Sequence, residues 1–457
     1  MEEMPVKKNQ ELEVTVVDLS HLGMGVAKVD AYPIFVENAL PQEKILVRIV
    51  KVGKKFGFGK MLSIIQKSPY RQEVENEDLL RTGIAPLSHL KYEQQLAFKQ
   101  AQVKNVLKKT ARMPEIQVEK TIGMRQPFGY RNKAQIPIRK IDGILQTGFY
   151  RKNSHELVPI DHFFIQDPAI DAAIIVIREI LQQFEVKAYN EKNNSGFLRH
   201  IVIRRGYQTH EMMVVLVTRK EHFVQGEKIA QAIQEKLPEV VSIMQNVNPK
   251  QTNVIMGTQE KVLLGRNDIY DRLLGKTFRI SAKSFYQVNT PQAEVLYQKA
   301  FELADLKKSD VVIDAYSGIG TIGLSLANQV AHVYGMETIK QAVIDAQENA
   351  KLNGIKNAEY VTGKAEDIMP RWKEDGIHPN VIFVDPPRKG LDQSFIETAC
   401  QMKPEKFIYI SCNPATMARD LKVFAEQEYF TDSIQPVDLF PQTHHVETIV
   451  LLEKKSS

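Results

Sequence analysis

Short runs in which apolar and polar residues alternate, separated by glycines, fill the N-terminal part of the chain. They lie between Glu11 and Lys67 and read ELEVTVVDL, GMGVAKV, PIFVENAL, EKILVRIVKV and GFGKMLSI. Alternation with a period of two predicts β-strands that bury one face. Five such strands in so short a segment predict a small OB-like β-barrel, a fold whose surface often binds oligonucleotides.

The next stretch changes to helical spacing. Residues 92–112, YEQQLAFKQAQVKNVLKKTAR, place Leu96, Val103 and Leu107 along one stripe and predict a single helix. After it, the strand-like runs QIPIRK, HIVIRRG, MMVVLVT and NVIMG alternate with helical runs such as AIDAAIIVIREILQQF. This mixture predicts a central α/β region.

From Asp310 onwards strands and helices alternate regularly. The strands read VVID, HVYGME, AEYVTG, VIFVD, KFIYIS and TIVLLEK. Such alternation predicts a doubly wound, mostly parallel sheet whose ligand lies beyond the carboxyl ends of the strands. We therefore predict an α/β protein in three parts: a barrel over residues 1–67, a central domain over 68–280 and a Rossmann-like domain over 281–457.

Composition narrows the class of protein. A chain of 457 residues with 43% hydrophobic and 25% charged residues is typical of folded globular proteins. No apolar run is long enough for a membrane span, and the start MEEMPVKKNQ has no signal-peptide core. The two cysteines, Cys400 and Cys412, are too few for a disulfide framework. We expect a cytoplasmic protein with no membrane partner.

Positive charge is concentrated in one segment. The whole chain has a net charge of +5, but residues 91–160 alone contain 14 Lys and Arg against 5 Asp and Glu. Two interpretations are open. The lysines of the predicted helix, Lys99, Lys104, Lys108 and Lys109, could form an ordinary solvated face, or the segment could face RNA.

The end of the predicted barrel combines lysines with aromatic residues, namely Lys51, Lys54, Phe56, Phe58 and Lys60. Basic and aromatic side chains together are typical of surfaces that bind single-stranded nucleic acid. The alternative is that the two phenylalanines are core residues of a hairpin.

A glycine-rich turn follows the strand VVID. It contains Gly318, Gly320 and Gly323, and Glu337 ends the next strand. This spacing fits a dinucleotide or S-adenosylmethionine (SAM). Asp314 favours SAM, because a carboxylate repels a pyrophosphate and attracts a sulfonium or ammonium. In both cases Glu337 would accept hydrogen bonds from ribose hydroxyls.

Two reactive motifs end neighbouring strands. One is Asp385-Pro-Pro-Arg388, where the prolines make a stiff turn that leaves the carboxylate at the edge of the sheet. In amino-methylating enzymes a related motif ends in an aromatic residue, so Arg388 argues against an amine as methyl acceptor. The other motif is Ser-Cys412-Asn-Pro, which places a thiol at a strand end.

A thiol and a carboxylate in this setting suit methylation of uracil C5. That carbon becomes nucleophilic only when a thiolate adds at C6, and a base must later remove the C5 proton so that the thiol can leave. We predict Cys412 as the nucleophile and Glu447, in HHVETIVLL, as the base. Cys400 is expected in the core, and His444 and His445 are expected to be loop residues without a metal.

Five motifs in this order resemble the RNA uracil-C5 methyltransferase family: SFYQVN at 284–289, DAYSGIGTIGL at 314–324, VDPPRKGL at 384–391, ISCNP at 410–414 and HHVETI at 444–449. The barrel resembles the TRAM domain of the bacterial 23S rRNA branch, and HLKYEQQLAFK, YRNKA and LRHIVIR resemble the central region of the family. The resemblance covers essentially the whole chain.

The resemblance implies 5-methyluridine formation in 23S rRNA with SAM as cofactor. It implies SAM contacts from Gln287, Tyr316, Glu337 and Asp385, with Cys412 and Glu447 in the roles given above. Asp385 would act in catalysis as well, and Asp314, Gly318 and Gly320 would complete the cofactor site. It also implies that the helix over 92–112 packs on the catalytic domain.

One departure concerns metal. Many rRNA members bind an iron-sulfur cluster, but RTGIAPLSHLKY and IDHFFIQ contain no cysteine here, so we expect no cluster. This departure leaves the choice of rRNA target open. The target uridine must be unpaired or flipped out, and Phe285 and Tyr286 are candidate walls for it.

Three alternatives remain at this stage. The same chemistry could act on tRNA, the glycine turn could serve a nicotinamide-dependent oxidoreductase, or the chain could be a noncatalytic RNA-binding assembly factor. We expect a monomer in each case.

Overall fold

The computed structural model describes residues 4–454. Its N-terminal part is a closed five-stranded barrel with strand order β1-β2-β3-β5-β4, as predicted. The strands are β1 Glu11–Leu19, β2 Gly25–Val29, β3 Tyr32–Val36, β4 Lys44–Val52 and β5 Gly57–Gln66. Inward-facing residues such as Val16, Ile34 and Val47 form the core. Buried Glu43 pairs with Arg71 at 2.5 Å and ties the barrel to the next segment.

Three phenylalanines lie together outside the barrel core. Phe35, Phe56 and Phe58 have ring centroids 5.5–5.9 Å apart, and Phe56 is 44% exposed. The interpretation of Phe56 as hairpin core is therefore wrong. The exposed lysines Lys51, Lys54 and Lys60 accompany the cluster in sequence, so the barrel presents both aromatic and basic groups to solvent.

A connecting helical segment and a seven-stranded sheet follow. The sheet order is β13-β12-β11-β10-β7-β8-β9. The elements are α1 Asp78–Thr82, α2 Tyr92–Val106, β6 Gln117–Val118, β7 Lys133–Ile141, β8 Ile144–Tyr150, β9 Leu157–Pro159, α3 Pro168–Gln183, β10 Leu198–Arg205, β11 Met212–Thr218, α4 Gly226–Lys236, β12 Val240–Val247 and β13 Gln259–Gly265. One face of the sheet packs on α3 and α4 in a single apolar cluster.

The predicted strand NVIMG is wrong. Residues 253–257 form no strand, because side chains rather than a neighbouring strand satisfy their backbone. The Asn248 amide donates to the carbonyls of Val254 and Ile255 at 2.7 and 3.1 Å, and Gly257 N donates to Asn246 Oδ1 at 2.7 Å.

The C-terminal part is the predicted doubly wound α/β fold. It contains a hairpin of β14 Asp268–Leu273 and β15 Lys276–Ser281, followed by α5 Thr290–Ala304, β16 Val311–Ala315, α6 Thr321–Leu326, β17 His332–Glu337, α7 Lys340–Leu352, β18 Ala358–Thr362, α8 Ala365–Glu374, β19 Val381–Val384, α9 Gln393–Gln401, β20 Lys406–Ser411, α10 Pro414–Glu426, β21 Tyr429–Phe430, β22 Ser433–Val437 and β23 Glu447–Lys454.

The large sheet of this part has the order β18-β17-β16-β19-β20-β23-β22-β6, and β21 also pairs with β23. Strands β16 to β20 are parallel, and β23 is antiparallel to β20. The chain reverses its winding between β16 and β19. A ligand of such a sheet binds at this point, beyond the carboxyl ends of the strands.

Helix α2 packs on the C-terminal sheet although it precedes the central region in sequence. Val103, Leu107 and Ala111 belong to the same apolar cluster as Phe424 of α10. The α-helix ends at Val106 and continues as a π-helical turn over Leu107–Ala111. The large C-terminal sheet is therefore packed in part by a helix that precedes the central region in sequence.

Of the four helix lysines that could form a solvated face, three are exposed. Lys104, Lys108 and Lys109 are exposed, whereas Lys99 is fully buried and forms an ion pair with Asp438. Lys99 lies on the side of the helix that contacts the C-terminal sheet, so helical spacing alone placed it wrongly.

No helix between residues 4 and 454 is long and apolar enough to cross a membrane.

Candidate active site

The glycine turn lies at the end of β16, with Asp314 beneath it. Asp314 Oδ2 accepts a hydrogen bond from Gly323 N at 2.8 Å, and its side chain is buried. Burial raises the pKa of Asp314 to about 7, and the charges of Asp385 and Glu337 act in the same direction. A side chain at position 323 would clash, because its Cβ would lie 2.7 Å from the hydroxyl of Tyr360. Asp314 thus supports the turn from below.

Glu337 faces the same turn from the end of β17. Its Oε2 accepts from Gly318 N at 3.2 Å, and its Oε1 accepts from Ile339 N and Thr338 Oγ1, each at 3.0 Å. The carboxylate is half-buried, so part of it remains open beyond the strand end. An acidic acceptor in this position suits a ribose diol.

Tyr316 occupies a sterically unusual backbone position. Its φ is +65°, in the left-handed region that non-glycine residues rarely adopt, and its ring lies 5.5 Å from that of Phe395. Such strain persists where surrounding contacts enforce it and is common at ligand sites. The conformation turns the chain sharply between β16 and the glycine turn.

A buried tyrosine, Tyr297, interacts with both Gln287 and Asp385, and no sequence motif indicated it. Gln287 Nε2 donates to the Tyr297 hydroxyl at 3.3 Å. Burial raises the pKa of Tyr297, and so does the charge of Asp385. Tyr297 therefore lies between the segment that contains Gln287 and the carboxylate of Asp385.

Asp385 directly follows β19 and is half-buried. Burial raises the pKa of its carboxyl to about 7. Within residues 4–454 its side chain has no hydrogen bond and no ion pair. Because an acid in this state is stabilised by a cation, the carboxyl groups of Asp385 and Asp314 fit the sulfonium and ammonium of SAM.

Cys412 and Glu447 are brought together by strand register. Ser411 of β20 pairs with Thr448 of β23, so Cys412 and Glu447 are the next residues beyond that pair, at the same edge of the sheet. Burial raises the pKa of the Cys412 thiol to about 12, with a contribution from the charge of Glu447. The side chain of Cys412 is half-buried and therefore partly exposed.

Glu447 is buried at the start of β23. Burial raises the pKa of its carboxyl to about 8, and Asp385 adds to the shift, while Arg388 and Lys99 oppose it. Asp385, Cys412 and Glu447 therefore share one electrostatic environment. A carboxyl with a pKa near neutrality is suited to general acid–base catalysis.

A side-chain contact fixes the two reactive turns relative to each other. Asn413 Nδ2 donates to the carbonyl of Arg388 at 2.9 Å, and Asn413 Oδ1 caps α10 by accepting from Ala415 N at 3.1 Å. One asparagine thus holds the turn after β19, the turn after β20 and the start of the next helix.

Comparison with known proteins identifies the family. Residues 91–455 match the tRNA (uracil-5-)-methyltransferase family, and residues 5–62 match the TRAM domain. The chain belongs to this family of RNA uracil-C5 methyltransferases. The resemblance seen in the sequence is confirmed, and the barrel is a TRAM domain.

Relatives and a solved structure agree with this assignment. A protein of Enterococcus faecalis called an uncharacterized RNA methyltransferase is 54% identical over 454 residues, which is 99% of each chain. A protein of the same description from Lactiplantibacillus plantarum is 53% identical over 453 residues, 99% of each. The Pyrococcus abyssi tRNA (uracil-54, C5)-methyltransferase, crystallised with S-adenosyl-L-homocysteine, has a TM-score of 0.79 and 28% identity, covering 96% of this chain and 100% of its own.

The family's cofactor is consistent with the acids described above. Membership in a SAM-dependent methyltransferase family is compatible with the unpaired carboxyl of Asp385, because such a group suits a cationic ligand. It also leaves no support for a nicotinamide-dependent oxidoreductase, which rested on the glycine turn alone.

A group of cations borders the segment that carries Gln287. Lys133 of β7 pairs in register with Arg204 of β10, and Arg131 precedes Lys133 by two residues. Arg204 donates to the carbonyl of Ser284. None of the three forms an ion pair within residues 4–454, and burial lowers the pKa of Lys133 to about 7, with Arg204 and Arg131 contributing. Arg131 and Lys133 are half-buried and Arg204 is buried, and a cation without a carboxylate partner is stabilised by an anion.

The two candidate substrate walls differ. Phe285 is 71% exposed beside these cations, whereas Tyr286 is buried and its hydroxyl donates to Asp271 Oδ2 at 3.1 Å. The prediction for Tyr286 is wrong, because its ring belongs to the apolar core. Only Phe285 is available to stack on a base.

The remaining candidates from the sequence are Cys400 and the pair His444 and His445. Cys400 is buried in the core, and burial raises its pKa to about 12. His444 and His445 stack with ring centroids 4.3 Å apart, and burial lowers the pKa of each to about 4. No group of three or more potential metal ligands occurs in the described part of the chain.

Proposed function

We propose that this protein transfers a methyl group from SAM to C5 of uridine in 23S rRNA through a covalent intermediate on Cys412. The observation that carries the proposal is the adjacency of Cys412 and Glu447 beyond the β20–β23 pairing, beside the unpaired acid Asp385. Family membership gives the reaction type. We also propose that the protein acts as a cytoplasmic monomer.

The three parts of the chain take different tasks in this proposal. The barrel over 1–67 and the central region over 68–280 bind RNA, and residues 281–457 carry the chemistry. Gln287, Tyr316, Glu337 and Asp385 hold the cofactor at the winding reversal, with Asp314, Gly318 and Gly320 shaping the turn. When bound, the cofactor supplies an electrophilic methyl and a positive charge.

The protein groups act in sequence on the base. The Cys412 thiolate adds to C6, and the electron pair of the C5–C6 bond becomes available at C5, which takes the methyl. Glu447 then accepts the C5 proton, the C5–C6 double bond re-forms and the C6–S bond breaks, which returns the thiolate. Burial and the charge of Glu447 raise the pKa of Cys412 and so favour the thiol, and a cationic cofactor beside Asp385 would favour the thiolate.

RNA as the acceptor is supported by charge. The cations Arg131, Lys133 and Arg204 lack acidic partners within residues 4–454 and border the segment with exposed Phe285. A phosphodiester would neutralise these cations while an unpaired base stacks on the ring.

A tRNA substrate is the second candidate. The archaeal structure with TM-score 0.79 is a tRNA (uracil-54, C5)-methyltransferase, and it covers 96% of this chain. Because that coverage includes most of the TRAM barrel, the barrel alone does not distinguish rRNA from tRNA. A noncatalytic assembly factor has no comparable support.

Methyl transfer from labelled SAM to unmodified 23S rRNA fragments and to tRNA transcripts tests the proposal. We expect label on uridine C5 in the 23S fragments, and a loss of at least about 1,000-fold for Cys412→Ala, because the uncatalysed C5 is not nucleophilic. The buried Cys400→Ala serves as the matched control. Label on tRNA alone would mean that tRNA, and not 23S rRNA, is the substrate. Label that persists in Cys412→Ala would refute the covalent route.

A further inference from the structure

Four polar side chains on one face of helix α2 hold the segment that leads to Glu447. Tyr92, Gln95, Lys99 and Gln102 are spaced three or four residues apart and therefore line one side of the helix. Each contacts the loop between β22 and β23, in which Asp438 lies. A charged and amide-rich stripe of this kind normally faces water, but here it faces the catalytic part of the chain.

Two glutamines of the stripe, Gln95 and Gln102, hold the loop by amide hydrogen bonds. Gln95 Nε2 donates to Gln442 Oε1 at 2.8 Å, and Gln442 N donates back to Gln95 Oε1 at 2.9 Å. Gln102 Nε2 donates to the carbonyl of His444 at 3.0 Å. His444 precedes Glu447 by three residues, so these contacts fix the loop close to the proposed base.

The centre of the stripe is a buried ion pair. Lys99 Nζ pairs with Asp438 and donates to the carbonyl of Phe440 at 3.1 Å. The other carboxylate oxygen of Asp438 accepts from the Tyr92 hydroxyl at 2.9 Å, and that hydroxyl in turn accepts from Met124 N at 2.7 Å. Both Lys99 and Asp438 are fully buried. Because burial of two charges is costly, such a pair is weak evidence for stability and invites a functional explanation.

Lys99 interacts with more than its partner. Its charge acts on Glu447 through the low-dielectric interior and opposes the effects of burial and of Asp385 on that carboxyl. The groups whose charges couple to Glu447 are Asp385 and Arg388 after β19, Cys412 after β20 and Lys99 from α2. His444 and His445 precede Glu447 in the same loop. Lys99 is the buried cation among them, whereas Arg388 is exposed.

We propose that Lys99 is a positioning residue that holds Glu447 in place and favours its carboxylate form, so that the C5 proton can be removed and the covalent intermediate resolved. The inference rests on the function proposed above. It assigns a step of the reaction, release of the adduct, to a helix that lies more than three hundred residues earlier in sequence than the base it serves.

The double variant Lys99→Met/Asp438→Asn tests this role. It removes both charges while keeping similar volumes, which avoids an uncompensated buried charge. We expect kcat to fall about tenfold, the acidic limb of the kcat–pH profile to move to higher pH, and the covalent enzyme–RNA complex to accumulate at steady state. KM for SAM should change less than twofold.

A second buried pair provides the matched control. Glu43→Gln/Arg71→Met removes the ion pair at the barrel junction, which has a similar 2.5 Å geometry but lies in a different part of the fold. The acidic limb of its kcat–pH profile and its steady-state fraction of covalent enzyme–RNA complex should equal those of the wild type. Equal changes in both double variants would mean a general structural effect and would overturn the inference.

Two milder variants keep the test valid if the double variant does not fold. Lys99→Arg preserves the charge and should retain the wild-type acidic limb. Tyr92→Phe removes one hydrogen bond to Asp438 and should shift the limb in the same direction as the double variant, by a smaller amount. Wild-type pH profiles in Tyr92→Phe and in a folded Lys99→Gln would refute the role of Lys99. Methylation by the wild type without a Cys412 adduct would refute the proposed function itself, whatever the result for Lys99.

Discussion

The cofactor side and the RNA side of the site carry opposite uncompensated charges. On one side, the carboxyl groups of Asp314 and Asp385 are desolvated without a cationic partner within residues 4–454. On the other, Lys133 and its neighbouring arginines are desolvated without an acid. The protein does not neutralise either set internally. A cationic cofactor would supply the charge missing on the acidic side, and a polyanionic substrate would supply the charge missing on the basic side. The opposite charges of the two sides therefore explain how one site could bind both ligands.

The largest expected effect comes from the acid side. Asp385→Asn removes a charge-assisted contact to the cofactor, worth about 2 kcal/mol, so the Kd for SAM should rise about 30-fold. Isothermal titration measures it, with binding of RNA as the internal reference. Asp392→Asn, an exposed aspartate seven residues later, is the matched control and should bind SAM as the wild type does.

The pH dependence of cofactor binding should distinguish SAM from its product, which lacks the sulfonium charge. The raised pKa values, about 7 for Asp314 and Asp385 and about 8 for Glu447, mean that these groups ionise only as the pH rises through 7 to 8. Attraction for the sulfonium therefore increases with pH. We expect the affinity ratio of SAM to S-adenosylhomocysteine to rise about tenfold between pH 6 and 8.5, since each unit of coupled pKa shift is worth about 1.4 kcal/mol.

The same groups set the sign of the pH dependence of stability. A carboxyl with a raised pKa keeps its proton in the folded state while the unfolded chain has lost it. The ligand-free protein should therefore lose stability as the pH rises from about 5 to 8, and SAM should reverse part of this loss. A melting temperature that rises over this pH range without ligand would contradict the assignment of raised pKa values to these carboxyl groups. An affinity ratio of SAM to S-adenosylhomocysteine that does not depend on pH would contradict it as well.

Substitutions on the basic side of the site should change the affinity for RNA and leave the affinity for SAM unchanged. Lys133→Gln is expected to weaken RNA binding about tenfold at low salt and to reduce the slope of log Kd against log salt by about 0.7, the value for one phosphate of a single strand. Binding of SAM should not change. Lys104→Gln, on the exposed face of α2, should have little effect, and Lys133→Arg should restore the slope.

The smallest expected effect lies in the barrel. Phe56→Ala removes an exposed ring from the Phe35–Phe56–Phe58 cluster and should raise KM for a long RNA about fivefold, at the low end of the energies measured for base stacking. Leu22→Ala, another exposed apolar residue of the barrel, is the control. A short stem-loop that does not reach the barrel should be methylated equally by all three proteins.

Periodicity and strand-end motifs were sufficient for the fold class. The strand ELEVTVVDL was predicted with the bounds of β1, and the strand MMVVLVT with those of β11. The proposed reactive residues could also be placed at one edge of the sheet from sequence, because parallel strands in a doubly wound sheet present their carboxyl ends there. Asp385 and Cys412 directly follow β19 and β20, and Glu447 begins the antiparallel strand β23 at the same edge.

Partners that are distant in sequence could not be predicted. Lys99 has the spacing of a solvated lysine, and only the presence of Asp438, 339 residues later, reveals its burial. Tyr286 looked accessible beside Phe285, yet alternate positions of one extended segment point to opposite sides, so one ring is exposed and the other buried. The strand-like run NVIMG is held by asparagine side chains instead of a neighbouring strand.

The most direct test of the central claim is mass spectrometry of the enzyme after reaction with SAM and a 23S rRNA fragment whose uridines are replaced by 5-fluorouridine. Fluorine at C5 cannot leave as a proton does, so the adduct that Glu447 would normally resolve should be trapped. We predict a denaturation-stable complex whose peptide map places one methylated fluorouridine nucleotide on Cys412. A complex linked through another residue, or methyl transfer without any complex, would contradict the proposed mechanism.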